Sequence, residues 1–222
     1  MSASLDSSLD PMEEIRFRKK HGSLWQEILP ETHFNFDELE KIMIIFFKIQ
    51  KRDEKPASSD VISRAHFRDV LHTGLNMTDS YMIERVMVAL DRGTSPYVTM
   101  ATFAKAMSLY LRGDLEEKIL YTFTCYDLLG EGALRRETMY QLMKKSLAKA
   151  SRDDDVEEAV KEFVDIMMKR IDMDLDGSIS FKDFHDTVVN TPQLLECLGY
   201  CLPERPAVYA YICTWCPSWK KM

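Results

Sequence analysis

An acidic stretch at residues 172–183, with the sequence DMDLDGSISFKD, spaces its oxygen-bearing side chains regularly. Carboxylates stand at its first, third, fifth and twelfth positions and a serine at its seventh: Asp172, Asp174, Asp176, Asp183 and Ser178. Hard divalent cations prefer oxygen ligands, and a loop of about 12 residues supplies them from these positions. Because crowded carboxylates repel one another, a bound cation is a suitable counter-charge. The spacing predicts one metal site with these five residues as ligands.

The residues around this stretch predict an EF-hand, a helix–loop–helix unit. Gly177 lies at position 6, where the loop turns through a positive φ that glycine adopts without steric penalty. Apolar residues at spacings of three and four predict a helix on each side, from Val156 to Ile171 and from Phe181 to Val189. The alternative is an acidic turn that binds no metal, but it does not account for the glycine and both helices.

Asp183 closes the loop, where most loops of this type have glutamate. The shorter side chain reaches the ion less easily and tends to offer one oxygen, which favours six-fold coordination. We therefore expect Mg²⁺ or weakly bound Ca²⁺ at this one site, with a Ca²⁺ Kd of about 10⁻⁵ M or weaker. Both ions are candidates from the sequence.

Three earlier loops repeat the pattern without its full ligand set. The apolar residues at position 8 are separated by 36, 36 and 45 residues: Ile62, Val98, Leu134 and Ile179. This internal repeat predicts four EF-hand units. In place of the closing carboxylate the first three loops have His66, Thr102 and Thr138, and the third loop also has Arg135 at position 9. We expect only the fourth loop to hold an ion, with residual binding in the third as the alternative.

The predicted fold class is all-α, with four EF-hand-like units in two lobes and short two-stranded β pairings between loops. Residues 1–33 are predicted to be an N-terminal extension with a basic patch, and residues 34–110 a lobe of degenerate hands one and two. Residues 111–192 are predicted to be a lobe of degenerate hand three and ion-competent hand four, and residues 193–222 a C-terminal helix and aromatic tail. Extra residues at 148–157 predict an enlarged loop between hands three and four.

Both ends of the chain allow alternatives. The basic patch is suited to an acidic surface such as tubulin, or is a solvated helix face: Arg16, Arg18, Lys19 and Lys20. A helix is expected at 193–198, and the aromatic tail after it covers the chain's own groove or docks onto a partner. The cysteines are expected to be packed free thiols, with zinc binding by the last four as the alternative: Cys125, Cys197, Cys201, Cys213 and Cys216.

Composition and motifs exclude several function classes. The net charge of −7 argues against nucleic acid as the main partner. The sequence contains no apolar run of ~18 residues, no secretory h-region and no Met-Gly start, so we expect an intracellular protein without a membrane anchor. The histidines form no His-Glu-x-x-His pair, and neither a Gly-rich phosphate loop nor a G-x-S-x-G motif is present. We therefore predict that the chain is not an enzyme.

Five further segments are distinctive: NMTD at 76–79, LRGDLEEK at 111–118, YDL at 126–128, DGSISF at 176–181, and the stretch from LLE to CLP at 194–203. They resemble the calaxin family, EF-hand proteins of cilia and flagella that are related to neuronal calcium sensors. Calaxin-like proteins also have aspartate where Asp183 stands. Together the similar segments span about residues 34–203.

This resemblance implies a calcium-binding adaptor of the axoneme. It implies association with docking-complex coiled-coil proteins, with outer-arm dynein and with tubulin of the doublet microtubule, and calcium tuning of flagellar and sperm motility. Hands two and three are less complete here than in the family. The alternative function is therefore a calcium-insensitive structural component of the axoneme, with one constitutively filled or vestigial site.

Overall fold

A computed structural model describes residues 9–52, 60–91, 95–147 and 155–216. Its elements, in chain order, are α1 (Pro11–Ile28), α2 (Phe36–Gln50), β1 (Val61–Ser63), α3 (Arg64–Leu75), α4 (Ser80–Leu90), β2 (Tyr97–Thr99), α5 (Met100–Arg112), α6 (Leu115–Tyr126), β3 (Ala133–Arg135), α7 (Arg136–Leu147), α8 (Asp155–Ile171), β4 (Ser178–Ser180), α9 (Phe181–Asn190) and α10 (Arg205–Trp215). Short 3₁₀ turns occupy Leu29–Glu31 and Pro192–Leu194. The predicted enlarged loop falls mostly at 148–154, outside the described residues.

The strands pair as the EF-hand repeat predicts. Strands β1 and β2 are antiparallel with Ile62 opposite Val98, and β3 and β4 are antiparallel with Leu134 opposite Ile179. These four residues, at position 8 of the four loops, are almost completely buried. The all-α class with two small antiparallel pairings is therefore confirmed, and the pairing joins hand one to hand two and hand three to hand four.

The chain forms two compact units. The first contains residues 1–76, 90–113 and 203–222, and the second contains residues 77–89 and 114–202. Most of α4 thus belongs to the second unit, although β2 and α5, which follow it in hand two, belong to the first. The domain ranges predicted from the repeat stay a prediction. Within the described part of the chain, no helix is both long and apolar enough to cross a membrane.

Aromatic side chains form the centre of the first unit. The ring of Phe103 on α5 meets the rings of Phe46 on α2 and Phe67 on α3 edge-on, at centroid distances of 5.3 and 5.7 Å. All three side chains are fully buried. Edge-to-face pairs of this kind stabilise a core beyond the burial of their area. The helices of hands one and two are therefore held by packing in the first unit.

Residues 11–28, within the predicted N-terminal extension, form a helix that packs within the first unit. Asp10 caps its first turn by accepting a hydrogen bond from the Met12 amide, and Pro11 starts it. Its buried residues recur on one face: Phe17, His21, Trp25 and Ile28. The ring of Phe17 stacks on that of Phe47 at 4.5 Å, so α1 packs against α2 as part of the first unit.

Burial of His21 predicts a pH dependence of stability. Burial lowers the pKa of His21 from its ordinary value of 6.5, opposed in part by the Asp60 carboxylate. The unfolded chain therefore takes up this proton more readily than the folded chain, and stability falls as the pH drops below about 6.5. We expect unfolding midpoints measured by circular dichroism to decline less between pH 7 and pH 5.5 in His21→Phe. An unchanged decline would contradict this assignment.

The C-terminal helix lies later than expected. The helix predicted at 193–198 is replaced by the 3₁₀ turn at Pro192–Leu194 and by further turns, and α10 follows at Arg205–Trp215. Pro206 lies in the first turn of α10, where its missing amide hydrogen is not needed, so it begins a helix instead of breaking one. The helix packs against α3 and α5, burying Tyr211, Ile212 and Trp215. This helix of the predicted tail therefore covers part of the chain's own first unit, and residues 217–222 of the tail lie outside the described residues.

The second unit supports hands three and four. Helix α7 packs on α8, and α6 packs on α9. Phe184 on α9 is fully buried against two rings of α6, Phe123 at 5.7 Å and Tyr126 at 6.2 Å. The hydroxyl of Tyr126 also donates to the Gly199 carbonyl at 2.8 Å, which attaches the segment after α9. This packing fixes the two helices that enter and leave the acidic loop.

Candidate metal centre

Three of the five predicted ligands lie together in the loop between α8 and α9. A carboxylate oxygen from each of Asp172, Asp174 and Asp176 lies within 4.8 Å of the other two. Asp172 directly follows the last residue of α8 and is buried, whereas the other two are exposed. Asp172 is therefore held at the end of α8, whereas Asp174 and Asp176 face solvent.

Hydrogen bonds within the loop hold this cluster in place. The Gly177 amide donates to Asp172 Oδ2 at 3.0 Å, and the Ser178 amide donates to Asp176 Oδ1 at 2.7 Å. Gly177 has a φ of +87°, as predicted for position 6. These bonds already bend the loop backbone around the carboxylates. The entropy cost of ordering the loop on ion binding is therefore reduced.

The Asp172 carboxylate is the feature of the loop that best indicates a cation site. Its Oδ1 atom is buried and has no hydrogen-bond partner among the described residues. A buried carboxylate oxygen without a partner is costly, and such an atom commonly marks the place of an ion or water. The donor set, three carboxylates with the Ser178 carbonyl close by in sequence, suits Ca²⁺ or Mg²⁺. The residues therefore fit the predicted ion.

Asp183, the predicted closing ligand, is placed differently. It is buried at the third position of α9 and is absent from the three-carboxylate cluster. Its Oδ2 atom instead accepts hydrogen bonds from Ser180, from the amide at 3.1 Å and from the hydroxyl at 2.6 Å. Asp183 is thus engaged in capping α9, and its role as a ligand stays a prediction.

The third loop uses its remaining acidic residues internally. Both oxygens of Asp127 accept backbone hydrogen bonds, from the Glu131 amide at 3.1 Å and from the Gly132 amide at 2.8 Å. The Glu131 carboxylate is paired with Arg135 at 2.8 Å. In contrast to Asp172, the first residue of this loop leaves no carboxylate oxygen without a hydrogen bond.

A residue from another hand also acts on the third loop. The Arg85 guanidinium on α4 donates to the carbonyls of Cys125 and Asp127, each at 3.0 Å. These carbonyls lie at the end of α6, where a cation is favourable for the helix dipole. Arg85 thereby adds positive charge beside the first position of the loop. No pattern within the loop sequence could have revealed it, because Arg85 lies about forty residues earlier.

The first two loops lie partly outside the described residues, at 53–59 and 92–94. In the described parts of these loops, two acidic or polar side chains contact other residues of the same chain. Asp91, at position 1 of the second loop, forms an ion pair with Arg64 at 4.0 Å. His66, at position 12 of the first loop, has its Nδ1 atom 3.0 Å from the Ser63 hydroxyl. These positions therefore stabilise the scaffold.

The cysteines near the C-terminus are free thiols, of which Cys201 and Cys216 are buried. Across the described ranges, the aspartate cluster is the only group of metal-ligating side chains. Burial raises the pKa of Cys197 to about 12 and also raises that of Cys201, so both remain protonated thiols. The packed-thiol interpretation fits the structure better than zinc binding.

The basic patch on α1 is divided between ion pairs and free cations. Arg18 pairs with Glu14 at 2.7 Å and also with Glu40, and Lys20 lies 3.8 Å from Asp60. Arg16 and Lys19 are exposed and form no ion pair with any residue that the structure describes. Two of the four predicted cations therefore remain available at the surface.

Comparison with known proteins agrees with this arrangement. Residues 131–191 match the family model described as an EF-hand domain pair. The chain is 37% identical to calaxin of Danio rerio, with 81% of this chain and 85% of the relative covered. It is 35% identical to calaxin of Homo sapiens, with 78% and 82% covered.

A relative of a different name is less similar to this chain. Guanylyl cyclase-activating protein 1 of Lithobates pipiens is 29% identical, with 61% of this chain and 65% of the relative covered. The calaxins are both more similar and more completely matched. With its paired EF-hand loops, its acidic fourth loop and this extent of identity, the chain belongs to the calaxin family of EF-hand proteins.

Proposed function

We propose that this protein is a calcium-binding adaptor of the ciliary or flagellar axoneme. In this role it associates with the docking of outer dynein arms on doublet microtubules and tunes motility to calcium. Membership of the calaxin family supports the location. The observation that carries the ion-binding part is the buried Asp172 Oδ1 atom, which has no partner among the described residues and lies within the carboxylate cluster.

The fourth hand is the proposed source of any calcium response. Ion binding draws ligands from both ends of the loop together, and in sensor EF-hands this changes the angle between the flanking helices. Here those helices are α8 and α9, and α9 packs on α6. A rearrangement at the loop would therefore reach the apolar core of the second unit, where Phe123 and Phe184 meet.

The alternative is a structural component whose single site is permanently filled by Ca²⁺ or Mg²⁺. One observation favours it: the acidic residues of the third loop are satisfied by the loop itself and by Arg135. A lobe with one ion-binding loop has fewer carboxylates whose charge a bound Ca²⁺ can neutralise. In this case the ion would be a permanent structural link between α8 and α9, and calcium would not act as a signal.

The proposed partners are docking-complex coiled-coil proteins, outer-arm dynein and tubulin. Helical EF-hand proteins commonly bind an amphipathic helix in an apolar groove, which suits a coiled-coil partner. The exposed Arg16 and Lys19 on α1 suit an acidic surface such as that of tubulin. Neither nucleic acid nor membrane is proposed as a partner, and no enzymatic activity is proposed, because the carboxylate cluster is accounted for as metal ligands.

The two functions differ in how ions affect partner binding. For the sensor we expect the affinity for a docking-complex coiled coil to change at least about fivefold between Ca²⁺ and chelator, the usual size of an allosteric coupling. Surface plasmon resonance in Ca²⁺, in Mg²⁺ and in chelator measures this, with Asp172→Ala as the control that should not respond. Equal affinity in all three conditions would contradict the sensor function and favour the structural one.

A further inference from the structure

Helix α1 has one side buried in the first unit and the opposite side in solvent. Its buried side packs against α2. Because a helix turns about 100° per residue, exposed residues at spacings of three and four share one side. Six residues opposite the buried side are exposed and are called here the outer stripe of α1: Met12, Ile15, Arg16, Lys19, Ser23 and Gln26.

The outer stripe carries positive charge only. It contains Arg16 and Lys19 and no acidic residue, although the chain as a whole has a net charge of −7. Glu13 and Glu14, in the first turn of α1, lie outside the stripe and are paired with Lys51 and Arg18. Since neither cation of the stripe forms an ion pair with a described residue, both can pair with carboxylates of another molecule.

The stripe also presents apolar side chains. Met12 and Ile15 are 63% and 62% exposed and lie one turn apart. Covering two such side chains is favourable, since apolar surface is removed from water. An apolar pair beside two cations therefore fits a partner surface that is both apolar and acidic, better than one that is acidic alone.

The spacing along the stripe is suited to a second helix. Met12, Ile15, Lys19 and Gly22 follow one another at intervals of three, four and three residues, the spacing at which one helix packs along another. Beyond its own helix, a Cβ placed at Gly22 would meet no described atom within 4 Å. A partner backbone can therefore approach α1 closely at this point.

We propose that the outer stripe of α1 docks an acidic amphipathic helix of a protein partner. The apolar side chains of that helix cover Met12 and Ile15, and its carboxylates pair with Arg16 and Lys19. From Met12 to Gln26 the stripe extends about 21 Å, which matches four turns of a partner helix at ~5.4 Å per turn. The inference rests on the proposed partner-binding function and deepens it, because it assigns a surface and a partner chemistry.

Two other occupants fit the stripe less well. A glutamate-rich segment without apolar residues would pair with Arg16 and Lys19 but leave Met12 and Ile15 in water. An anionic membrane surface would engage both kinds of side chain, but the net charge of −7 repels the rest of the protein from it. The acidic amphipathic helix uses the whole stripe without this repulsion.

Fluorescence polarisation with a labelled synthetic helix tests the docking. The probe is a peptide of about three heptads, with leucine at a and d and glutamate at e and g, where like charges prevent self-pairing. We expect the full chain to bind it in chelator. Arg16→Gln/Lys19→Gln and Met12→Ser/Ile15→Ser should each weaken binding about tenfold, since each removes two contacts of modest strength.

Lys20→Gln is the matched control, because it removes the same charge from the residue next to Lys19. Lys20 lies outside the stripe, 3.8 Å from Asp60, so its loss should change affinity less than about twofold. A peptide with lysine in place of glutamate should bind Arg16→Glu/Lys19→Glu and not the wild type. The charge variants carry the test if Met12→Ser/Ile15→Ser does not fold.

Three results would overturn the inference. They are a wild-type chain that does not bind the acidic helix, equal binding by the stripe variants and the wild type, and equal binding of a polyglutamate peptide without leucine. Phosphatidylserine vesicles that bind the chain when the peptide does not would assign the stripe to a membrane and also overturn it. The calcium response of the proposed function is measured separately, so its loss with peptide binding intact would overturn the sensor function alone.

Discussion

Asp172→Ala should weaken ion binding at the fourth hand by about 100-fold or more, since changes to residues that only support a ligand already cost ~10–100-fold. The two carboxylate oxygens of Asp172 have separate roles. Its Oδ2 atom holds the Gly177 amide in the turn, and its buried Oδ1 atom is available to the ion. Isothermal titration with Ca²⁺ and with Mg²⁺ measures the loss, and circular dichroism shows whether the helices remain.

Asp127→Ala is the matched control for this variant, because Asp127 has the same position in the third loop. Both of its oxygens bond to backbone amides, so its removal should reduce stability by about 1–3 kcal/mol and leave ion affinity unchanged. If Asp127→Ala reduced ion binding as strongly as Asp172→Ala, the third loop would be a metal site and the assignment to the fourth loop alone would be wrong.

Trp25→Ala should produce the largest loss of stability in the first unit, about 3–5 kcal/mol, as is usual for a large aromatic residue in a core. Trp25 is 1% exposed and meets Phe17 at 5.3 Å and Phe36 at 6.3 Å. Its removal leaves a cavity between α1 and α2 and frees the helix that carries Arg16 and Lys19. Urea unfolding followed by circular dichroism measures the change.

Trp25→Phe serves as the control because the indole Nε1 atom is buried without a partner in the described structure. Phenylalanine keeps most of the ring packing and removes that unsatisfied donor, so we expect a loss below about 1.5 kcal/mol. Equal losses for the two variants would mean that the packing of α1 depends on the full size of the indole ring. A small loss for Trp25→Ala would mean that α1 is not an integral part of the first unit.

Much of the fold could be predicted because the EF-hand repeat is local in sequence. The residue at position 8 has a fixed relation to its loop, so Ile62 and Val98, and likewise Leu134 and Ile179, could be paired without knowledge of the whole chain. The carboxylate spacing at Asp172, Asp174 and Asp176 is equally local, because the turn at Gly177 brings them together.

The features that were missed depend on contacts between distant residues or on competing local ones. Arg85 reaches the third loop from α4, and no loop motif encodes that contact. The spacing of Phe17, His21 and Trp25 does predict a helical face, but its burial depends on α2. The two uses of Asp183 follow from one sequence pattern, since a serine three residues before an acidic residue is both the end of a metal loop and a helix cap.

The fourth loop alone is expected to hold one divalent cation. Native mass spectrometry of the full chain at millimolar Ca²⁺ or Mg²⁺ counts the bound ions directly. The structure predicts one specifically bound ion in the wild type and in Asp127→Ala, and none in Asp172→Ala. A wild-type chain that carries no specifically bound ion, or an Asp172→Ala chain that still carries one, would contradict the claim.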